Sequence, residues 1–372
     1  MRAEKYAKLV DKQLQSLPKY VYYYAQQPNL AISTVYQYLS EYARFFTWLR
    51  ETPEDFENPS GATISSAKSN KEMSLSVLEH LKVTQVQQYL QERRMSENRQ
   101  STGDSKVTLN RTINALRSLF HYLTVVADLN DGEPYFYRNV MLKIPLYKGV
   151  KESIAYRNAK YGPQLYMNNK KFEWIDFINN DYVNTLSAHA VPYFNKNKER
   201  DLAIIALLLA TGVRVSELVN LNLKDLNLRE KSIIVVRKGD KKDAALIADW
   251  AIPYINGYLN IRESRYNPQK QQKALFLTLQ RGIGQRITSK TIEVFVNKYS
   301  IAFPNGSRTT PHKLRHSLGT EIYDKSKDVV AVATQLGHTG LSATDQYIQQ
   351  SSEDKQRKIL NQTTESHSGK PN

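Results

Sequence analysis

Four short islands in the C-terminal half of this chain combine side chains that can hold an anion, move protons and attack as a nucleophile. The first, Ala210-Thr211-Gly212-Val213-Arg214-Val215-Ser216-Glu217, places Arg214 just after a helix stop. The second is Lys238, inside the polar turn Arg237-Lys238-Gly239-Asp240-Lys241-Lys242. The third, Pro311-His312-Lys313-Leu314-Arg315-His316, sets His312 and Arg315 three residues apart, on one face of a helix. The fourth is Leu336-Gly337-His338, followed nine residues after the histidine by Tyr347. Guanidinium groups stay charged and grip oxyanions through paired donors. Imidazole and amine groups transfer protons, and a phenol can form a covalent ester.

Taken singly, each island has an ordinary explanation. An arginine after a helix end usually solvates itself or caps a carbonyl, and a lysine in a turn keeps a loop soluble. A His-x-x-Arg pair and a Gly-His pair are both common by chance. With 24 tyrosines in the chain, nothing marks a given one as a nucleophile. Only the order and spacing of the four together carry information.

The elements that must position them follow from periodicity. Asp201 to Ala210 reads as a buried helix stopped by Thr211-Gly212. Ser232 to Val236 and Ala244 to Ala248 read as strands joined by the turn that carries Lys238. Pro311 opens a helix with Leu314, Leu318 and Ile322 on its apolar side. Nearer the N-terminus, Val35, Leu39, Tyr42, Phe46 and Leu49 form one helical stripe. Leu109, Ile113, Leu116, Phe120 and Leu123 form a second, and together they predict a small helical bundle. On the polar faces, Arg44 and then Lys106, Asn110, Arg111, Asn114 and Arg117 are candidates to meet DNA phosphates or base edges, against the simpler reading of a solvated surface.

The remaining stretches are connections. Glu51 to Asn70 is rich in Glu, Ser, Asn and Pro and reads as a loop. Residues 148–171 read as a basic interdomain linker, with a helical domain over 1–147 before it and a mixed domain over 172–361 after it. Residues 362–372 read as a disordered tail.

Composition narrows the partner. The chain has 372 residues and a net charge of +16, of which residues 1–150 supply +4 and residues 151–372 supply +12. Such an excess favours nucleic acid or an anionic membrane surface over a small acidic substrate. No apolar run approaches the ~20 residues that span a bilayer, and the N-terminus meets mixed charge at once, so a cytoplasmic protein without a signal peptide is expected. Zero cysteines exclude disulfides, a thiol nucleophile and a cysteine-ligated zinc site. There is no G-x-x-x-x-G-K-[ST] phosphate loop, and Gly282-Ile283-Gly284 reads as a turn.

The ordered islands resemble the C-terminal catalytic domain of the tyrosine recombinases, the phage-integrase family. The matching motifs are Thr-Gly-x-Arg-x-Ser-Glu, His-x-Leu-Arg-His-Ser, Leu-Gly-His and the final tyrosine. Thr34 to Leu49, Gly132 to Met141 and Asn195 to Leu209 are in addition similar to the single-protein Xer recombinases of streptococcal type, so the resemblance spans nearly the whole chain.

That resemblance implies a mainly helical fold with a small antiparallel sheet. An N-terminal core-binding (SAM-like) domain and a mixed α/β catalytic domain would form a C-shaped clamp on duplex DNA. It implies Tyr347 as the nucleophile that becomes O-(3′-phospho-DNA)-tyrosine, and Arg214 and Arg315 as the clamp on the scissile phosphate. His312 and His338 complete the cradle, with His312 the acceptor of the tyrosine proton. Lys238 protonates the departing 5′-hydroxyl, and Glu217 orients a catalytic neighbour. No metal, ATP or other cofactor is expected, because the phosphotyrosine bond keeps the energy of the broken strand. The implied partners are a dif-like inverted-repeat site, three further copies of the chain in a synaptic homotetramer, and an FtsK-type DNA translocase. Residues 351–360, with Ile359 and Leu360 as anchors, would dock on a neighbouring protomer. The implied task is chromosome-dimer resolution. Alternatives are a mobile-element integrase, a type IB topoisomerase and a DNA-binding protein without catalysis.

Overall fold

The computed structural model describes residues 2–52, 67–95, 105–129, 131–148, 156, 160–237 and 241–337. The chain divides into two compact units, with the boundary between Lys151 and Glu152.

The first unit is helical: α1 (Arg2–Leu14), α2 (Lys19–Ala25), α3 (Ile32–Glu51), α4 (Leu75–Glu79), α5 (Val83–Met95) and α6 (Lys106–His121). Both predicted stripes point inward. Val35, Leu39, Tyr42, Phe46 and Leu49 of α3 are buried, as are Leu109, Ile113, Leu116 and Phe120 of α6 and Leu123 just beyond it. The packing is locked by polar bonds that cross it. Tyr42 donates to the carbonyl of Ala115 at 2.9 Å, and buried Glu41 receives Arg93 at 2.7 Å and Thr112 at 2.9 Å. Most of the loop expected over 51–70 lies outside the described residues. At its end Asn70 is anchored to α3 through the carbonyl of Ala43 and the hydroxyl of Thr47.

The second unit is built around α8. Its helices are α7 (Asn169–Asp176), α8 (Val191–Thr211), α9 (Val215–Asn220), α10 (Ile252–Tyr266), α11 (Ser289–Ala302), α12 (Pro311–Ser326) and α13 (Val329–Leu336). From Leu202 to Ala210 every side chain of α8 is buried, so this helix is apolar all round because neighbours enclose it. It starts ten residues before the predicted Asp201, where Pro192 occupies the first turn.

Two small antiparallel sheets complete the unit. The first has the order β1 (Leu226–Asn227), β2 (Ser232–Val236), β3 (Lys242–Leu246). Ile233 and Val235 face the core while Ile234 and Val236 face out, the expected period of two. The second strand was expected at 244–248 and lies at 242–246. Val236 pairs with Lys242 and Ser232 with Leu246, so polar residues complete the ladder, and the chain turns away into a 3-10 turn at Asp249–Ala251. The second sheet pairs β4 (Leu277–Gln280) with β5 (Ile283–Arg286). Its two-residue turn, Arg281-Gly282, has positive φ at both positions, so the expected turn at Gly282 is also the start of a strand.

The stretch read as linker up to residue 171 contributes its last part to this unit. Leu165, Tyr166 and Lys171 are buried, Gln164 accepts a hydrogen bond from Thr309, and Lys171 pairs with buried Glu321 at 2.7 Å. A run of basic and tyrosine residues hides an apolar anchor, which the local composition does not reveal. The tail 362–372 and the docking segment 351–360 lie outside the described residues. Among the described residues no helix is long and apolar enough to cross a membrane.

Candidate active site

The site grows from the C-terminal end of α8. Gly212 caps that helix with φ of 67°, and a Cβ there would overlap the side chain of Leu336. The left-handed conformation favours glycine here, and a Cβ would in addition press on Leu336. The chain leaves in an extended conformation and delivers Arg214 to the N-terminus of α9. Glu217, one turn into α9, accepts the backbone N–H of Arg214 at 2.8 Å on one oxygen and its guanidinium at 2.8 Å on the other. The Arg214 side chain is 44% exposed and Glu217 only 6%, so a buried carboxylate holds an arginine whose head reaches solvent.

Arg315 arrives from α12. The hydroxyl of Thr310 caps that helix by accepting from the backbone N–H of Lys313, and Pro311 fills its first turn. Arg315 is 2% exposed. Its two terminal nitrogens donate to the carbonyls of Gly212 and Leu336, each at 2.6 Å. It therefore ties the end of α8 to the end of α13, beside the Arg214 loop and the residue pair that precedes His338.

His312 lies one turn before Arg315 on α12, with its ring 5.1 Å from that of His316. Partial loss of solvent, and then the positive charges of Arg315, Lys313 and Arg214, hold its pKa below the usual imidazole value. It borders an open cleft of about 360 Å³ whose lining includes Lys290, Arg308 and Thr310. Arg214, Arg315, His312 and Glu217 thus form one neighbourhood. Lys238, His338 and Tyr347 lie outside the described residues.

One participant escaped the sequence reading. Arg237, the last residue before the Lys238 turn, is buried. Its guanidinium donates to Glu217 at 3.2 Å, to Asp243 at 2.9 Å and to the carbonyl of Leu336 at 2.8 Å. In a basic, polar turn its composition looked like any solvated loop, and no local signal separates it from its neighbours.

In the first unit, the candidate DNA contacts divide. The amide of Asn110 is engaged twice by the backbone of Tyr147, and Arg117 donates to the carbonyl of Ile144. Arg44 pairs with Glu41 but stays 57% exposed, and Lys106 reaches the carbonyl of Lys148 at 3.4 Å. Arg111 and Asn114 are exposed on α6.

Comparison with known proteins agrees with this layout. The model of the phage integrase family matches residues 176–354. Tyrosine recombinase XerS of Streptococcus agalactiae serotype III (strain NEM316) is 44% identical over 354 residues, covering 93% of this chain and 96% of the relative. XerS of Streptococcus pneumoniae (strain Hungary19A-6) is 44% identical over 355 residues, with the same coverage of both. Among solved structures, the XerH site-specific recombinase in its pre-cleavage complex with difH substrate aligns with a TM-score of 0.56 at 22% identity, covering 85% of this chain and 76% of that one. A lambda integrase dimer bound to a COC′ core site aligns at 0.55 and 14% identity, covering 91% and 94%. The fold is that of the tyrosine recombinases, mainly helical with small antiparallel sheets. The chain belongs to the phage integrase family, as an Xer-type tyrosine recombinase similar to XerS.

Proposed function

We propose that this chain is a site-specific recombinase that cuts and rejoins duplex DNA through a 3′-phosphotyrosine bond to Tyr347, and that it resolves chromosome dimers at a dif-like site. The observation that carries the reading is the convergence of Arg214, Arg315 and His312 around the joined ends of α8 and α13. In this mechanism the Tyr347 oxygen attacks the scissile phosphorus, His312 takes the phenolic proton, and the 5′-oxygen leaves with a proton from Lys238. Arg214, Arg315 and His338 stabilise the charge that grows on the non-bridging oxygens. The low pKa of His312 suits it to accept a proton at neutral pH. Reversal of the same steps on a partner strand rejoins the DNA without ATP or metal.

The relatives' names support the Xer assignment over a mobile-element role. On this reading the protein works in the cytoplasm as a homotetramer across two sites, activated by an FtsK-type translocase. On this reading both the helical unit, 1–147 in outline, and the catalytic unit contact the duplex. The test is a nicked suicide duplex carrying the dif-like sequence. The wild-type chain should be captured covalently, and Tyr347→Phe should bind the duplex without capture. Capture of the phenylalanine variant would assign the nucleophile to another residue.

A further inference from the structure

We infer that Arg237 is a positioning residue of this site, holding the Arg214 loop, the facing ends of β2 and β3 and the C-terminal end of α13 in register with one another. The inference rests on the recombinase reading and adds a residue to it.

Two nitrogens of the Arg237 guanidinium make three contacts. Nη1 meets Glu217 at 3.2 Å, on the same carboxylate oxygen that accepts the backbone N–H of Arg214. Nη1 also meets Leu336 at 2.8 Å, on the same carbonyl that accepts Arg315. Nε meets Asp243 on β3 at 2.9 Å, while the Arg237 backbone N–H bonds the carbonyl of Lys241 at 2.8 Å. Nη2 is buried and makes no hydrogen bond among the described residues. The Asp243 and Lys241 contacts tie the end of β2 to the start of β3, on either side of Lys238 in the sequence. The guanidinium also lies flat against Gly337, where φ is 64° and any Cβ would overlap it. That accounts for the glycine of the Leu-Gly-His motif by space as well as by backbone conformation.

Burying a guanidinium costs hydration, which is offset only where well-placed partners take its donors. A solvated lysine would serve a plain turn at no such cost. What the arginine adds is geometry. Through Nη1 and Nε its planar head reaches three elements at once. With 6% of its side chain exposed it is not placed to contact DNA, so its effect must pass through the residues that do.

The experiment compares wild type, Arg237→Met, Asp243→Asn and the double variant for thermal stability, affinity for the target duplex and single-turnover rate of covalent adduct formation on the suicide substrate. Displacements near 1 Å at a reacting centre cost on the order of 100-fold in rate. We expect Arg237→Met to bind within about twofold of wild type yet form adduct roughly 100-fold more slowly. Asp243, which is 40% exposed, can be changed with little risk to folding. Asp243→Asn should slow adduct formation about fivefold, and should add nothing once Arg237 is methionine. Unchanged cleavage in either variant overturns the inference. So does a loss of affinity or of melting temperature in parallel with rate, which would make Arg237 a folding residue only. If Arg237→Met fails to fold, the Asp243→Asn rate decides alone. If wild type itself forms no adduct, the recombinase reading fails and takes this inference with it.

Discussion

Arg315 and Gly212, 103 positions apart in the chain, are joined by a 2.6 Å hydrogen bond from guanidinium to carbonyl. This bond makes Arg214 and Arg315, the two arginines of the proposed phosphate clamp, unequal. Arg214→Ala removes a half-exposed head and should leave the melting temperature nearly unchanged while cleavage falls by about 10²–10³. Arg315→Ala also strips the donor from the buried Gly212 carbonyl, at about 1–3 kcal/mol for a group left unsatisfied, while the Leu336 carbonyl keeps Arg237. It should therefore melt several degrees lower as well as failing to cleave. Thermal melts beside a suicide-substrate assay distinguish the two, and equal stability in both variants would contradict the anchoring role.

In the proposed mechanism His312 sets the acid limb of the reaction. Its folded pKa is depressed, so it is neutral and able to accept a proton at pH 7. Cleavage should hold steady down to about 6.5, the ordinary imidazole value, and be lost as pH falls through the lower folded value. Stability follows the same sign. The unfolded state takes up the proton first, so the contribution is present above the unfolded pKa and lost on acidification below it. A cleavage profile with its midpoint above the ordinary value would remove His312 as the base.

Glu41 gives the first unit its own acid sensitivity. Burial pushes its carboxyl up, but the bond and charge of Arg93, helped by Arg44 and Thr112, bring it below the usual range. Its stabilising effect is present above the unfolded value of about 4.3 and lost as pH falls through the folded one. Glu41→Gln removes the carboxylate from its bond with Arg93, which should cost about 1–3 kcal/mol. Chemical denaturation followed by a probe in the first unit measures both effects.

On α6, affinity and stability should separate by residue. Arg111→Ala is expected to weaken duplex binding and to flatten the dependence of log K on log salt by about one unit. Asn110→Ala should lower stability through the lost Tyr147 bonds and leave that slope alone. Titration of both variants at several salt concentrations checks this, and a salt slope altered in the asparagine variant would return it to the DNA-facing set.

The sequence made the helical stripes of α3 and α6 legible because one side of each helix is buried and the other wet, which periodicity reports directly. The sites of Arg214, Glu217, His312 and Arg315 were legible through motif order. Arg237 and Tyr166 were not. Both sit in polar, basic stretches and are buried by elements distant in sequence, and burial imposed from a distance leaves no local pattern. The register of β3 was missed for a related reason, since Lys242 and Asp243 join the ladder through backbone pairing that is blind to side-chain polarity.

Glu217 sits between Arg214 and Arg237, and Asp243 and Leu336 complete the ring with Arg315. Among the described residues of this ring, three guanidinium groups stand against two carboxylates, so positive charge is in excess. An anionic group seated beside it would be met by donors already fixed in place rather than by side chains that must first be ordered.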